Sequence, residues 1–297
     1  MKIVQLNRSV RSGESLQASF FPECGMNLAS LKKGDLEVID PSTRALFEER
    51  FAGLGALIGP HFHRRSPASL PLISHEERFP HIARIKALGI ADPFSHGIAR
   101  YAPWTYDATS TGIRASLSGK DCWNEIPLAA LEGQQFQMKF SAELTGTGLD
   151  IAFSVVSEAD SLVGIHYYYR LPEGRGRVVS RVQSTYVDNQ QRIPIPSSWN
   201  YGPQNHLQME IGDTPIDYTF FPFPDPLQGE MILHTSEYSL KTTYWSQTEE
   251  NSWQLYHPAG ASFVCIEPLS AQDPRHPNLT VSSLRIRLEI LEPVFTH

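Results

Sequence analysis

Cysteine is scarce in this chain of 297 residues, which contains only Cys24, Cys122 and Cys265. Three widely spaced cysteines fit neither a disulfide framework nor a metal-ligand pattern. Free thiols in a reducing cytoplasm are therefore the expectation. Long apolar runs are missing as well. No stretch approaches the roughly 20 residues of a membrane span, and the opening MKIVQLNRSV lacks the apolar core of a signal peptide. The sequons at Asn7 and Asn278 then read as chance matches. A basic excess is also absent, with 25 Lys and Arg against 32 Asp and Glu and a net charge of −7. That balance argues against nonspecific nucleic-acid binding, which needs a positive surface. No linker, charge block or short repeat divides the chain, so it reads as one domain over residues 1–297.

What the sequence has in quantity is strand pattern. The stretch VGIHYYYRLP at 163–172 alternates with period two. Val163, Ile165, Tyr167, Tyr169 and Leu171 share one face, while Gly164, His166, Tyr168 and Arg170 share the other. One face is core and the other can exchange protons. FVCIEP at 263–268 repeats the logic, with Val264 and Ile266 opposed to Phe263, Cys265 and Glu267. A His and a Glu displayed in this way imply an acid/base pair across a cleft. Residues 136–144 and 149–155 alternate too, and the Gly146–Gly148 turn joins them as a hairpin. Further strands are expected at 16–21, 26–31, 36–39, 178–186, 231–233, 239–244, 252–256 and 284–291. The pattern predicts an all-β fold of two large antiparallel sheets packed face to face.

Departures from strand are few. Pro41–Phe51 is a plausible helix, with a second around His75–Leu88. The glycines of Gly53–Arg65 read as a loop, and 66–94 as a long connection of the kind usually kept for function. PIDYTFFPFPDP around Asp217 reads as a Pro-rich loop. Besides His166 and Glu267, the chemistry-bearing candidates are His63 and Arg64, the run His96–Arg100 followed by Trp104, and Asp217. Each has a plain structural explanation: a hydrogen-bonded strand histidine, surface arginines, a turn-capping aspartate and a core tryptophan. Their common placement at strand ends and loops, where sites are grafted, favours the functional reading.

In this order, HRR at 63–65, HGIARYAPW at 96–104, GIHYYYRLP at 164–172, IDYTF at 216–220 and FVCIEP at 263–268 resemble the aldose 1-epimerase (galactose mutarotase) family. The resemblance runs from about Leu16 to Leu291, and GIH-x-Y and CIEP are its most specific parts. It implies a β-supersandwich. It also implies that Glu267 is the general base taking the anomeric hydroxyl proton, and that His166 is the general acid protonating the ring oxygen. Arg64, His96 and Asp217 match positions that hydrogen-bond sugar hydroxyls. Arg100 matches the trailing arginine of hexose-6-phosphate mutarotases, and Trp104 would add a stacking face. No metal or redox cofactor is needed. His63 replaces the family's usual Asn, Tyr167–Tyr169 replace Pro-Tyr-Phe, and 66–94 is individual to this chain. Substrate identity therefore stays open.

The leading expectation is a cytoplasmic mutarotase of a hexose, monomeric or homodimeric, with a small sugar or sugar phosphate as its partner. The alternatives are a hexose-6-phosphate mutarotase and an idle sugar-binding protein on the same scaffold. A lyase or glycosidase is disfavoured, because hydrolysis usually uses a carboxylate pair and only Asp217 could supply the second.

Overall fold

Alternation becomes burial along most of the chain. The structure, a computed structural model, describes residues 1–9, 13–62 and 71–294. Strands β1 (Val4–Ser9), β2 (Ser15–Phe21), β3 (Asn27–Lys33) and β4 (Leu36–Glu37) precede helix α1 (Arg44–Arg50) and β5 (Gly55–Ile58). Helix α2 (Pro80–Ala87) leads to β6 (Thr105–Ala108), β7 (Gly112–Ser118) and the short pair β8 (Cys122–Trp123) and β9 (Ile126–Pro127). Helix α3 (Leu128–Glu132) precedes the hairpin β10 (Phe136–Leu144) and β11 (Gly148–Ser157). Then come β12 (Gly164–Arg170), β13 (Gly176–Asp188), β14 (Gln191–Pro194) and β15 (His206–Ile211). The last six are β16 (Ile216–Pro222), β17 (Gln228–His234), β18 (Ser239–Ser246), β19 (Ser252–His257), β20 (Phe263–Leu269) and β21 (Val281–Leu291).

The antiparallel pairings fall into two large sets. One runs β1-β2-β3-β5-β12-β20-β19-β16-β13-β14. The other runs β6-β7-β10-β11-β21-β18-β17-β13-β15. Strand β13 belongs to both. Its first half pairs with β15 and β17, and its second half with β16 and β14, after a register shift between Val182 and Tyr186. A bulge of this kind bends a strand and increases its twist, which lets it change sheets. The result is the all-β architecture of large antiparallel sheets with few short helices.

Between the sheets the inward residues form one core. In β10, Phe136, Met138, Phe140, Ala142 and Leu144 are buried, whereas Gln137, Lys139 and Glu143 are exposed. Phe140 meets Phe153 of β11 edge-on at 5.9 Å, and both contact the indole of Trp104. Truncating such an aromatic to Ala typically costs about 3–5 kcal/mol.

Two segments expected to be loops are strands. Gly55–Ile58, inside the glycine-rich stretch, is the fully buried β5, paired with β12 on one side and β3 on the other. Gly55 stays a glycine because a Cβ there would lie 2.5 Å from the Leu28 side chain. Ile216–Pro222 is β16, not a Pro-rich loop. Its prolines lie before it, at its last residue and beyond, where they interrupt no ladder bond within it.

Candidate active site

Four neighbouring strands, β12, β20, β19 and β16, build the site as rows of cross-strand neighbours. Tyr168 pairs with Cys265, Cys265 with Tyr256, and Tyr256 with Asp217. The same β12–β20 register sets His166 against Glu267. Glu267 in turn pairs with Gln254, and Gln254 with Thr219. Directly opposed residues on one sheet face bring their side chains into contact. His166 Nε2 lies 3.5 Å from Glu267 Oε1. The pair is thus side by side on adjacent strands, not facing across a cleft. That spacing suits a hemiacetal, whose two oxygens share one carbon.

The strands form one wall of a cavity of about 280 Å3. The segment before β6 closes it. There His96 has a left-handed backbone (φ 73°) followed by Gly97 (φ 87°). The left-handed region is unfavourable for most residues and is held only by its surroundings. At His96 the N–H donates to the Phe62 carbonyl, and the His96 carbonyl accepts from Gly59 N–H. A Cβ on Gly97 would lie 2.0 Å from Gly59 O, so only glycine allows this close approach. The His96 ring is thereby placed 5.3 Å from His166 and 4.8 Å from Phe62, centroid to centroid. The His166 ring stacks on Tyr168 at 4.8 Å.

Electrostatics set the character of Glu267. Burial is the main cause that pushes its carboxyl well above the usual range. The Asp217 carboxylate adds to the rise, and the Arg100 guanidinium opposes it. Once ionised, Glu267 is a stronger base than an exposed glutamate. Burial also holds the Cys265 thiol up, in its neutral form. Among the described residues, His166, Cys265 and Glu267 are the group whose donor atoms lie close enough, within 4.8 Å, to hold a metal ion. A protonated thiol is a poor ligand.

The other candidates are placed as follows. Asp217 is exposed at the cavity mouth and accepts from Gln254 Nε2 at 2.5 Å. Arg100 lines the cavity from a short turn, Ile98–Arg100, rather than from an extended strand. Its Nε donates to the Phe51 carbonyl at 2.6 Å, at the C-terminal end of α1. A cation there meets the negative end of the helix dipole. Trp104 does not line the cavity. It is buried in the core, with Nε1 donating to the Ala99 carbonyl. His63, Arg64 and Arg65 lie outside the described residues.

Several cavity residues escaped the sequence reading. Gln254 and Tyr256 alternate along β19, but no motif sets them apart from the residues of an ordinary strand. Arg50 and Asp92 also line the cavity. Asp92 Oδ2 is 3.4 Å from His61 Nε2, and His61 Nδ1 is 2.5 Å from Glu132 Oε1. The other Glu132 oxygen accepts from Ile98 N–H. This buried chain ties α3 to the turn that carries Arg100. No sequence motif marks it, because its members come from three separate segments.

Comparison with solved structures places the fold. A galactose mutarotase-like protein from Clostridium acetobutylicum superposes with a TM-score of 0.65 at 13% identity, over 98% of this chain and 99% of that one. A galactose mutarotase-like protein from Lactobacillus casei gives 0.64 at 12% identity, over 97% and 100%. A galactose mutarotase related enzyme from Lactobacillus acidophilus gives 0.63 at 14% identity, over the full length of both. No family model and no curated protein matches the sequence. The chain has the galactose mutarotase-like fold. No helix among the described residues is long and apolar enough to cross a membrane.

Proposed function

We propose that this protein interconverts the α and β anomers of a reducing hexose. The observation that carries the reading is the His166–Glu267 contact of 3.5 Å at the cavity wall. Ionised Glu267 takes the proton from the anomeric hydroxyl, and that oxygen becomes the carbonyl as the bond from C1 to the ring oxygen breaks. Protonated His166 gives its proton to the ring oxygen. Rotation about C1–C2 presents the other carbonyl face. On closure His166 takes the proton back from the hydroxyl whose oxygen attacks C1, and Glu267 gives its proton to the carbonyl oxygen, so both residues return to their starting states and nothing is consumed. Each transfer is worth about 10²–10⁴-fold. Asp217, Gln254 and His96 surround the ring with hydroxyl partners.

Glu267→Gln keeps the shape of the side chain but cannot take a proton. Two-dimensional exchange NMR on glucose and galactose should show a loss of about 10²–10⁴-fold, with sugar binding retained. An undiminished rate would remove Glu267 as base. His166→Asn should lose a comparable factor, and the double variant should be far less than multiplicatively worse, because the two act on one event.

A second reading, a phosphorylated hexose, has one observation in its favour: Arg50 and Arg100 both line the cavity. Guanidinium groups grip phosphate in two-pronged fashion. Arg100 already spends one donor on Phe51, so we favour the neutral sugar.

A further inference from the structure

The catalytic cavity does not end at Asp217. It opens into a groove of about 950 Å3, and Phe62, Asp217, Gln254 and Tyr256 line both spaces. The cavity alone is at the small end of ligand sites, and the groove is at the large end. The two are connected by the sheet itself. The row His166, Glu267, Gln254, Thr219 crosses from cavity to groove, and the register continues from Thr219 to Val187 on β13. Three strand spacings separate Glu267 from β13, about 14 Å in all. A ligand following that row is longer than one sugar ring.

We infer that the groove is a saccharide subsite, and that the reacting hexose is the reducing end of a neutral oligosaccharide. The assignment rests on the anomer-exchange reading for the first ring alone. Four features of the lining select this ligand. Gln254, Gln272 and Asn189 offer amides that both donate to and accept from hydroxyls. Asp188 and Asp217 add carboxylate acceptors. Tyr256 provides aromatic surface for the apolar face of a sugar ring. Of the basic side chains that line it, Arg192 lies over the Phe221 ring at 4.1 Å and donates to Thr185 Oγ1 and Gln183 Oε1, His276 is 2.9 Å from Asp273, and Arg275 is exposed to water at the rim. The reducing end must point into the cavity, because only there do His166 and Glu267 reach an anomeric carbon. The remaining units then leave past Asp217.

The test is a chain-length series: glucose, maltose, maltotriose, cellobiose, lactose and glucose 6-phosphate. Exchange NMR gives kcat/KM for each, and saturation-transfer NMR with the Glu267→Gln protein gives binding without turnover. At least one di- or trisaccharide should exceed glucose by about tenfold in kcat/KM, carried by KM, the difference that 1.4 kcal/mol produces. Gln272→Ala, which alters the groove and not the cavity, should erase much of that gain while leaving glucose exchange within about twofold of the wild type. Unchanged glucose exchange also reports that the variant is folded. Equal kcat/KM and equal binding for glucose and every longer sugar would overturn the groove assignment and leave anomer exchange standing. A preference for glucose 6-phosphate over all oligosaccharides would overturn it too. Chain-length-dependent binding with no exchange of any sugar would keep the groove and defeat the anomer-exchange reading.

Discussion

On one face of β12, Tyr167 and Tyr169 are fully buried in the core, and burial drives both phenols far above their usual pKa. On the other face, one residue away in each direction, His166 and Tyr168 line the cavity. The backbone is the same; the environments are not. The core face holds groups that never ionise. The cavity face carries His166 beside Glu267, and the fold tolerates that carboxyl at a raised pKa. Strand periodicity is what keeps the core face and the face proposed to transfer protons apart at so small a distance. Moving the register of β12 by one residue would exchange them.

The largest expected effect beyond the acid/base variants tests this division on the core side. Tyr167→Ala should cost about 3–5 kcal/mol of stability, the range for a lost core aromatic. Under conditions where the variant remains folded, its exchange kcat should stay within about twofold of the wild type. A loss of kcat comparable to that of Glu267→Gln would show that the two faces are not independent. Chemical denaturation paired with exchange NMR measures both.

A smaller effect tests the cavity side. In the proposed reaction Glu267 must be ionised to act, and its pKa is raised, so the acid limb of kcat/KM should fall above the ordinary glutamate value of about 4.3. Asp217→Asn removes a negative neighbour that contributes to the rise, so the limb should move to lower pH. Arg100→Gln removes the opposing cation, so the limb should move to higher pH. Two variants that shift the limb in the same direction would refute this electrostatic account.

The smallest effect concerns Trp104. Trp104→Phe loses one buried hydrogen bond and some packing, about 1–2 kcal/mol, and should leave KM for sugars unchanged. A several-fold rise in KM would instead make Trp104 a sugar platform.

How far the sequence could be read follows from what each signal depends on. Strands with one wet face, such as β10 and β12, declare themselves by alternation. β5 does not, since its four residues are all buried and two glycines precede Ala56. β16 is masked by its prolines. Helix α3 is five residues long, too short for a helical period. Within the site, the identities of His166, Glu267, His96 and Asp217 were visible as motifs. That His166 and Glu267 are direct cross-strand neighbours was not, because register between distant strands is decided by the whole sheet. The Asp92–His61–Glu132 chain was invisible for the same reason.

The burial of Glu267 also has a consequence for folding. Unfolded, this carboxyl has an ordinary affinity for its proton; folded, it binds it more tightly. Its contribution to stability is fully present below the unfolded pKa and is lost as pH rises through the folded one. Most carboxylates in native proteins behave in the opposite sense. Over the pH range where Glu267 becomes able to accept a proton, the folded chain gives up part of its advantage over the unfolded one, so the ionisation that the proposed reaction needs is also the one that weakens the fold.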